Sequence, residues 1–234
     1  MKILSIDSSA LVASVALCED ESVLAEYTIN NGNTHSETLL PMIESLLGFF
    51  SLKAGDIDLF AVSAGPGSFT GVRIGAATLK GLAFDSGKPC AEVSTLEALA
   101  ENLRGIRGLI CPVMNARRSQ VYTALFRSDG EKLERLMPDS ALAISELDAI
   151  LAEYGEEVSL CGDGYAITEK GFSATPIRYT PERLRLQSAA SVAAVALRLM
   201  KEDKICSDRE LGVNYLRPSQ AERERAERLE AQNS

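Results

Sequence analysis

At 234 residues with 46% hydrophobic content, the chain is long enough for one large domain or two compact lobes, each with its own core. A formal net charge of −9 argues against a chain that grips nucleic acid alone, because phosphate contacts need clustered lysine or arginine; any RNA contact is expected through a partner. No apolar run reaches the roughly 20 residues of a membrane helix, and the Lys2-then-apolar start is broken by Asp7, Ser8 and Ser9 where a signal peptide would continue, so the chain reads as cytoplasmic, with no membrane partner.

In chain order, residues 3–7, 11–18 and 22–29 are short aliphatic and β-branched runs separated by polar turns at Ser8-Ser9 and Glu19-Asp20-Glu21. That pattern predicts a three-stranded antiparallel meander. Residues 34–47 place Leu39, Leu40, Ile43, Leu46 and Leu47 on one helical face, with Asn33 or Thr34 as N-cap. Pro41 inside this segment predicts a short preceding turn or a kink. A fourth strand at 58–64 runs into the loop Gly65-Pro66-Gly67-Ser68-Phe69-Thr70-Gly71, followed by a small-residue helix over 72–84. A fifth strand is expected at 88–93, then a Ser94-Thr95 cap with Glu97 opens a helix to Leu103, and 104–108 reads as a boundary.

The second half begins as the first did. Residues 109–114, a polar turn at Asn115-Ala116-Arg117-Arg118, 120–126, the turn Ser128-Asp129-Gly130 and 132–137 repeat the meander. Aligned without gaps, Asp7 falls on Asn115 and Leu17 on Leu125. A helix over 143–154, a strand at 158–160 and the loop Cys161-Gly162-Asp163-Gly164 follow in the earlier order, which reads as a duplicated strand-strand-strand-helix-strand unit. An Ala-rich helix over 188–200 closes the chain with Val192, Val195, Ala196 and Leu199 at core spacing. The division is therefore an N-terminal lobe over 1–104, a C-terminal lobe over 105–218 and a charged tail over 219–234, the last a solvated helix or a frayed end.

Few catalytic constellations fit these residues. Cys18, Cys90, Cys111, Cys161 and Cys206 are scattered with no CxxC pair, so free thiols are expected and a structural zinc site is not. His35 is the only histidine, which removes a His/Asp/Ser triad and any two-histidine metal site, and a lone histidine at a helix start reads as a capping or interface residue. The glycine loop is neither a P-loop nor a dinucleotide fingerprint. Asp7 with Gly65, Gly67, Ser68 and Gly71 forms a candidate vestigial nucleotide or phosphate loop; the alternatives of a phosphate cradle and a structural tight turn both stay open. Asp7 is placed to orient a metal-bound water below a phosphate, or else to make local turn bonds. Its mate Asn115 is a weaker cation ligand, which tilts the reading away from ATP hydrolysis. Two adjacent cations, Arg117 and Arg118, suit an anion, or else simply solvation. Small residues Gly75, Ala76, Ala77 and Gly81 permit close helix packing at a dimer face.

Taken together, Ile3 to Ser9, Thr34 to Ile43, the segment SAGPGSFTGVRIG from Ser63 to Gly75, and Ala116-Arg117-Arg118 with Val121-Tyr122 resemble the TsaB (YeaZ) family. The resemblance covers the whole chain, weakening after about Thr175. It implies an α/β actin-like ATPase (ASKHA) fold of two RNase-H-like lobes with mixed five-stranded sheets. It implies a non-catalytic subunit in threonylcarbamoylation of adenosine 37 (N6) in tRNAs reading ANN codons. The partners it implies are a TsaD-type transferase, with which the chain dimerises and which it activates, a TsaE-type ATPase, and tRNA through the complex. The catalytic relative carries two metal-binding histidines on the helix matching 34–47, where this sequence has His35 alone, so no metal and no required cofactor are expected. ATP or ADP is allowed at the interlobe cleft or the partner interface. The expected partner interface is His35, Leu39, Leu40, Ile43, Leu47, Ile74 and Leu79, the same face supporting a homodimer in isolation. The rivals are an autonomous ATP-dependent kinase of the same fold and a peptidase, the latter opposed by the missing second histidine.

Overall fold

Residues 1–32 and 34–217 are described by the computed structural model; the expected tail over 219–234 and the alternative cap Asn33 lie outside them. β1 (Lys2–Asp7), β2 (Ala13–Glu19) and β3 (Ser22–Ile29) form the predicted antiparallel meander. β4 (Leu59–Gly65) and β5 (Cys90–Ser94) add to it in parallel, giving the order β3-β2-β1-β4-β5. The second sheet repeats this arrangement. β6 (Gly108–Asn115), β7 (Gln120–Ser128) and β8 (Leu133–Ala143) are antiparallel, while β9 (Val158–Cys161) and β10 (Ile177–Arg178) run parallel to β6, in the order β10-β9-β6-β7-β8. The duplicated unit is thus present, two mixed five-stranded sheets of RNase-H-like topology that together make an actin-like ATPase fold.

Strand alternation assigns each face a cover. Leu4, Ile6, Val15, Leu17, Phe60 and Val62 point to one side of the first sheet, where α1 (His35–Phe49) and α2 (Phe69–Ala83) lie. Ile3, Ala16, Leu59, Ala61, Ala91 and Val93 point to the other, and there the cover is α6 (Ala189–Lys201). In the second sheet Leu109, Cys111, Val113 and Val158 meet α4 (Ile144–Ala152) and α5 (Tyr165–Gly171), while Ile110, Met114, Ala124 and Phe126 meet α3 (Thr95–Glu101). α3 and α6 touch each other between the sheets, where Asn102, just past α3, accepts from Ser191 Oγ at 2.6 Å and Arg198 pairs with Glu97.

This corrects the expected lobe boundaries. A cut at 104/105 separates the sheets but not the helices, because α3 from the first half covers the second sheet and α6 from the second half covers the first. After α6 the chain runs along the first lobe as far as Asn214. Cys206 pairs antiparallel with Cys90 through bonds of 2.8 and 2.9 Å, and Asn214 N donates to Ala64 O at 2.7 Å.

Smaller differences have local causes. β2 starts at Ala13, leaving Leu11 75% exposed in the turn. α1 runs through Pro41 with no preceding turn, since the exposed ring gives up one amide bond near the helix start. α2 starts at Phe69, not 72, because Ser68 Oγ caps it by accepting from Gly71 N at 3.2 Å, so three residues of the expected loop are helical. β8 extends past Pro138 to Ala143 through register shifts around Leu125, which shortens α4.

Candidate functional site

A cleft of about 680 Å³ lies between the lobes. One wall is the β1–β2 turn and the β4–α2 turn, the other is the β6–β7 turn with Tyr122 and Asp163, and Asn214 to Arg217 complete it. The glycine loop lies here as expected, yet its glycines face the protein's own backbone. A Cβ on Gly67 would meet Ser9 O at 2.5 Å, one on Gly71 would strike Ser8 O, and one on Gly65, at φ +115°, would strike Asn214 O. Ser68 N donates to Ser9 O at 2.7 Å and Ser8 Oγ donates to Gly71 O at 2.9 Å, so the two turns are stitched together. Amides of Ser68, Gly71 and Val72 are spent on Ser9 O, Ser68 Oγ and Ser68 O. These glycines serve close packing on the neighbouring turn, as the tight-turn alternative expects.

Asp7 is similarly committed. Ending β1 with no exposure, it accepts from Ser9 N at 2.9 Å and Ser9 Oγ at 2.7 Å through Oδ1, and from Ser63 Oγ at 2.5 Å through Oδ2. Burial pushes its carboxyl up from 3.8, against the bonds from Ser63 and Ser9. Its mate does the same job in the other lobe, where Asn115 Oδ1 accepts from Arg117 N, two residues on, at 2.8 Å. Both side chains therefore make Asx turns, the structural alternative of the sequence reading.

The β6–β7 turn is unusual in conformation. Arg117, Arg118 and Ser119 have φ of 63°, 53° and 57°, a left-handed run that costs side-chain-bearing residues roughly 1–2 kcal/mol each. It is held by Ala116 N to Gln120 O at 3.0 Å, Gln120 N to Arg117 O at 3.1 Å and Ile144 N to Ser119 O at 3.2 Å. Asp163 accepts from Asn115 N at 3.2 Å, and enclosure by its surroundings pushes its carboxyl up. Sequence reasoning missed the strap that crosses this site: Tyr215 packs on Phe69 with ring centroids 4.8 Å apart, Arg73 lies 3.8 Å over Phe69, and Arg217 donates to Ala116 O at 3.3 Å and to Gln120 Oε1. Its partners lie 97 or more positions away in the chain, and no local pattern marks them.

The expected partner interface is corrected in part. Leu39 and Ile43 at 1%, Leu47 at 6% and Leu79 at 0% exposure lie in the core under α1 and α2 and cannot meet another chain. Leu40 is 49% exposed and Ile74 is half-buried. His35 is half-buried, its Nε2 donating to Ala10 O at 2.7 Å, which pins α1 to the β1–β2 turn. Of the small residues, Gly75 and Ala76 pack inward while Ala77 and Gly81 face solvent. The outward side of the helix pair thus presents Leu40, Pro41, Ala77 and Gly81, and the helix ends carry Phe49 and Phe84 at 78% and 73% exposure. Among the described residues no three His, Cys, Asp or Glu side chains are placed to hold a metal ion, and the five cysteines are free thiols. No helix among the described residues is long and apolar enough to cross a membrane.

Comparison with known proteins places this architecture. The family model of TsaD, tRNA N6-adenosine threonylcarbamoyltransferase, matches residues 22–224. The TsaB biosynthesis protein of Bacillus subtilis is 33% identical over 231 residues, 95% of this chain and 96% of the relative. That of Escherichia coli K12 is 34% identical over 145 residues, 58% of this chain and 62% of the relative. The solved structure of YeaZ from Pseudomonas aeruginosa shares the fold with a TM-score of 0.78 at 24% identity, covering 92% of this chain and 99% of that one. A family-model match across most of the chain, and a near full-length relative above 30% identity, show that the chain belongs to the TsaB (YeaZ) family.

Proposed function

We propose that this chain is the non-catalytic, cytoplasmic subunit that pairs with a TsaD-type transferase and activates it in threonylcarbamoylation of adenosine 37 at N6 in tRNAs reading ANN codons. Involvement in tRNA threonylcarbamoyladenosine biosynthesis follows from the family. The observation that carries the subunit role is the outer side of α1 and α2, where Leu40, Pro41, Ala77 and Gly81 are exposed small or apolar residues, bordered on α1 by Glu37 and Glu44 and at the helix ends by Phe49 and Phe84. Small residues let a second helix pair approach closely, and burying Leu40 removes apolar surface from water. Without its partner the same surface supports a homodimer.

The non-catalytic assignment is supported by the committed state of the residues that would otherwise do chemistry. Asp7 takes three hydrogen bonds from Ser9 and Ser63 with both oxygens engaged, and the glycines of the loop pack on the turn beside it. Activation then consists of holding the transferase in its active arrangement. A nucleotide used by the complex, and the TsaE-type ATPase that would accompany it, are assigned to surfaces other than the glycine loop.

The test is reconstitution of tRNA threonylcarbamoylation from purified components, with this chain, without it, and with it alone. Product is expected only when this chain and the transferase are both present. Full turnover without this chain, or ATP hydrolysis by this chain alone, would overturn the reading.

A further inference from the structure

The cleft rim concentrates positive charge on a chain that is otherwise acidic. Arg73, Arg117 and Arg217 line or adjoin the cleft, and Arg118 follows Arg117 in the exposed turn. Arg104, Arg127, Arg135, Arg178 and Arg198 each hold a carboxylate. None of the four rim arginines does so among the described residues, nor do Arg107, Arg183, Arg185 and Arg209 away from the rim; what marks the rim is that four such arginines gather there: Arg73 lies on Phe69 and bonds Tyr215 OH, Arg217 bonds Ala116 O and Gln120, and Arg117 and Arg118 are exposed in the strained turn. Asp163 is the only acidic residue among those described lining the cleft, and it is engaged by Asn115 N. A left-handed run of three residues that carry side chains persists only where the surroundings impose it, and here it sets the backbone from which Arg117, at the cleft, and the exposed Arg118 beside it extend.

Aromatic rings lie among these cations. Phe69, Tyr122 and Tyr215 all line the cleft, and Arg73 already stacks on two of them. Guanidiniums that track a backbone, interleaved with rings on which bases stack, are the physical requirements for single-stranded nucleic acid. A free nucleotide fits less well, because its phosphates need a cradle on the opposite wall, and there the Ser68, Gly71 and Val72 amides are taken by Ser9 O, Ser68 Oγ and Ser68 O while Gly67 and Gly71 pack on Ser9 and Ser8. The net charge of −9 explains why two or three such contacts would give little RNA affinity to the chain alone and would add to affinity supplied by a partner.

We propose that the β6–β7 turn, through Arg117 and Arg118, contacts the phosphodiester backbone of the substrate RNA when the chain is paired with its transferase. The inference rests on the pairing proposed above. The turn lies between the sheets' ends and not on the outer side of α1 and α2, so one chain surface holds the partner and another the RNA.

The experiment is fluorescence anisotropy of a labelled, unmodified tRNA transcript titrated with the paired complex across a series of salt concentrations. Wild type is compared with Arg117→Ala/Arg118→Ala and with Arg117→Lys/Arg118→Lys, and pairing of each is checked by sedimentation. The double alanine variant is expected to pair normally, to bind the transcript roughly tenfold more weakly near 0.1 M salt, and to lower the log–log salt slope by about 1 to 2. The lysine variant, which keeps the charges, should keep the slope. Unchanged affinity and slope with intact pairing would overturn the proposal. So would loss of pairing in the alanine variant, which would make the turn a partner contact, or a loss of ATP affinity by calorimetry with RNA binding intact. If the wild-type chains do not pair, the reading under Proposed function fails instead, and the same comparison on the full chain alone at low salt decides whether the turn takes phosphate.

Discussion

Asp7 and Gly71 show how one residue can carry two readings that only geometry separates. Sequence placed Asp7 at the end of a strand before a turn, correctly, but could not show whether its carboxylate points to a cleft or back into its own turn. The three bonds from Ser9 and Ser63 decide for the turn. A buried carboxyl whose value is raised above 3.8 binds its proton more tightly in the folded chain, so its contribution to stability is present at acid pH and is lost as pH rises through 3.8 toward the folded value. Asp7→Asn, which matches the group at Asn115, is therefore expected to fold and to lack that decline. Urea unfolding at steps from about pH 4 to pH 7 should show wild type losing stability relative to the variant, with threonylcarbamoylation unchanged; the reverse trend, or lost activity, would restore a functional carboxylate. Glycines divide in the same way. Gly71→Ala forces a Cβ onto Ser8 O and is expected to cost about 1–3 kcal/mol by thermal unfolding, whereas Gly81→Ala, with open space around it on the helix, should gain about 0.5–1 kcal/mol.

At the scale of elements, helical periodicity located α1 and α2 but overcounted what they could offer outside. Leu39, Ile43 and Leu47 were legible as one apolar stripe, and a stripe of that spacing reads equally as core or as interface. The sheet beneath settles it, since Leu4, Ile6, Val15 and Leu17 need a cover and take that stripe. A charge at Ile43 would consequently unfold the lobe and say nothing of pairing. Leu40→Asp is the informative change, because the side chain is half in water already. It is expected to leave the thermal unfolding of the chain within about 0.5 kcal/mol of wild type and to weaken pairing, with itself and with the transferase, by at least about 2 kcal/mol in sedimentation. Undiminished pairing would remove α1 from the interface. In the second lobe, buried Asp148 on α4 takes bonds from Ser173, Ala174 and Thr175, a loop that the sequence left unassigned. Burial pushes its carboxyl up, but those bonds outweigh it and hold it down at about 2. This stability is present above 3.8 and disappears as pH falls toward 2, so Asp148→Asn should flatten that acid limb of the stability profile.

For the whole molecule, the internal repeat was legible because every element of it is local: three short strands, a helix and a strand, twice in the same order, with Asp7 and Asn115 falling at matching turns. What the repeat does not contain is which helix covers which sheet. Alternation says that Ile3, Ala16 and Ala61 face an apolar layer, but that layer is α6, over a hundred positions away, and α3 covers the opposite sheet. The exchange has a thermodynamic consequence that a simple pair of lobes would not have. A fragment ending at residue 104 would expose the α6-facing side of its sheet and would carry α3 with nothing to cover, so it should fail to fold by circular dichroism and hydrogen exchange. For the same reason the full chain should unfold in one calorimetric transition, because each sheet takes the cover of one face from a helix encoded in the other half, and the two covering helices pack on each other. Two resolved transitions, or a folded 1–104 fragment, would mean that each lobe closes on itself and that the central layer contributes little to either.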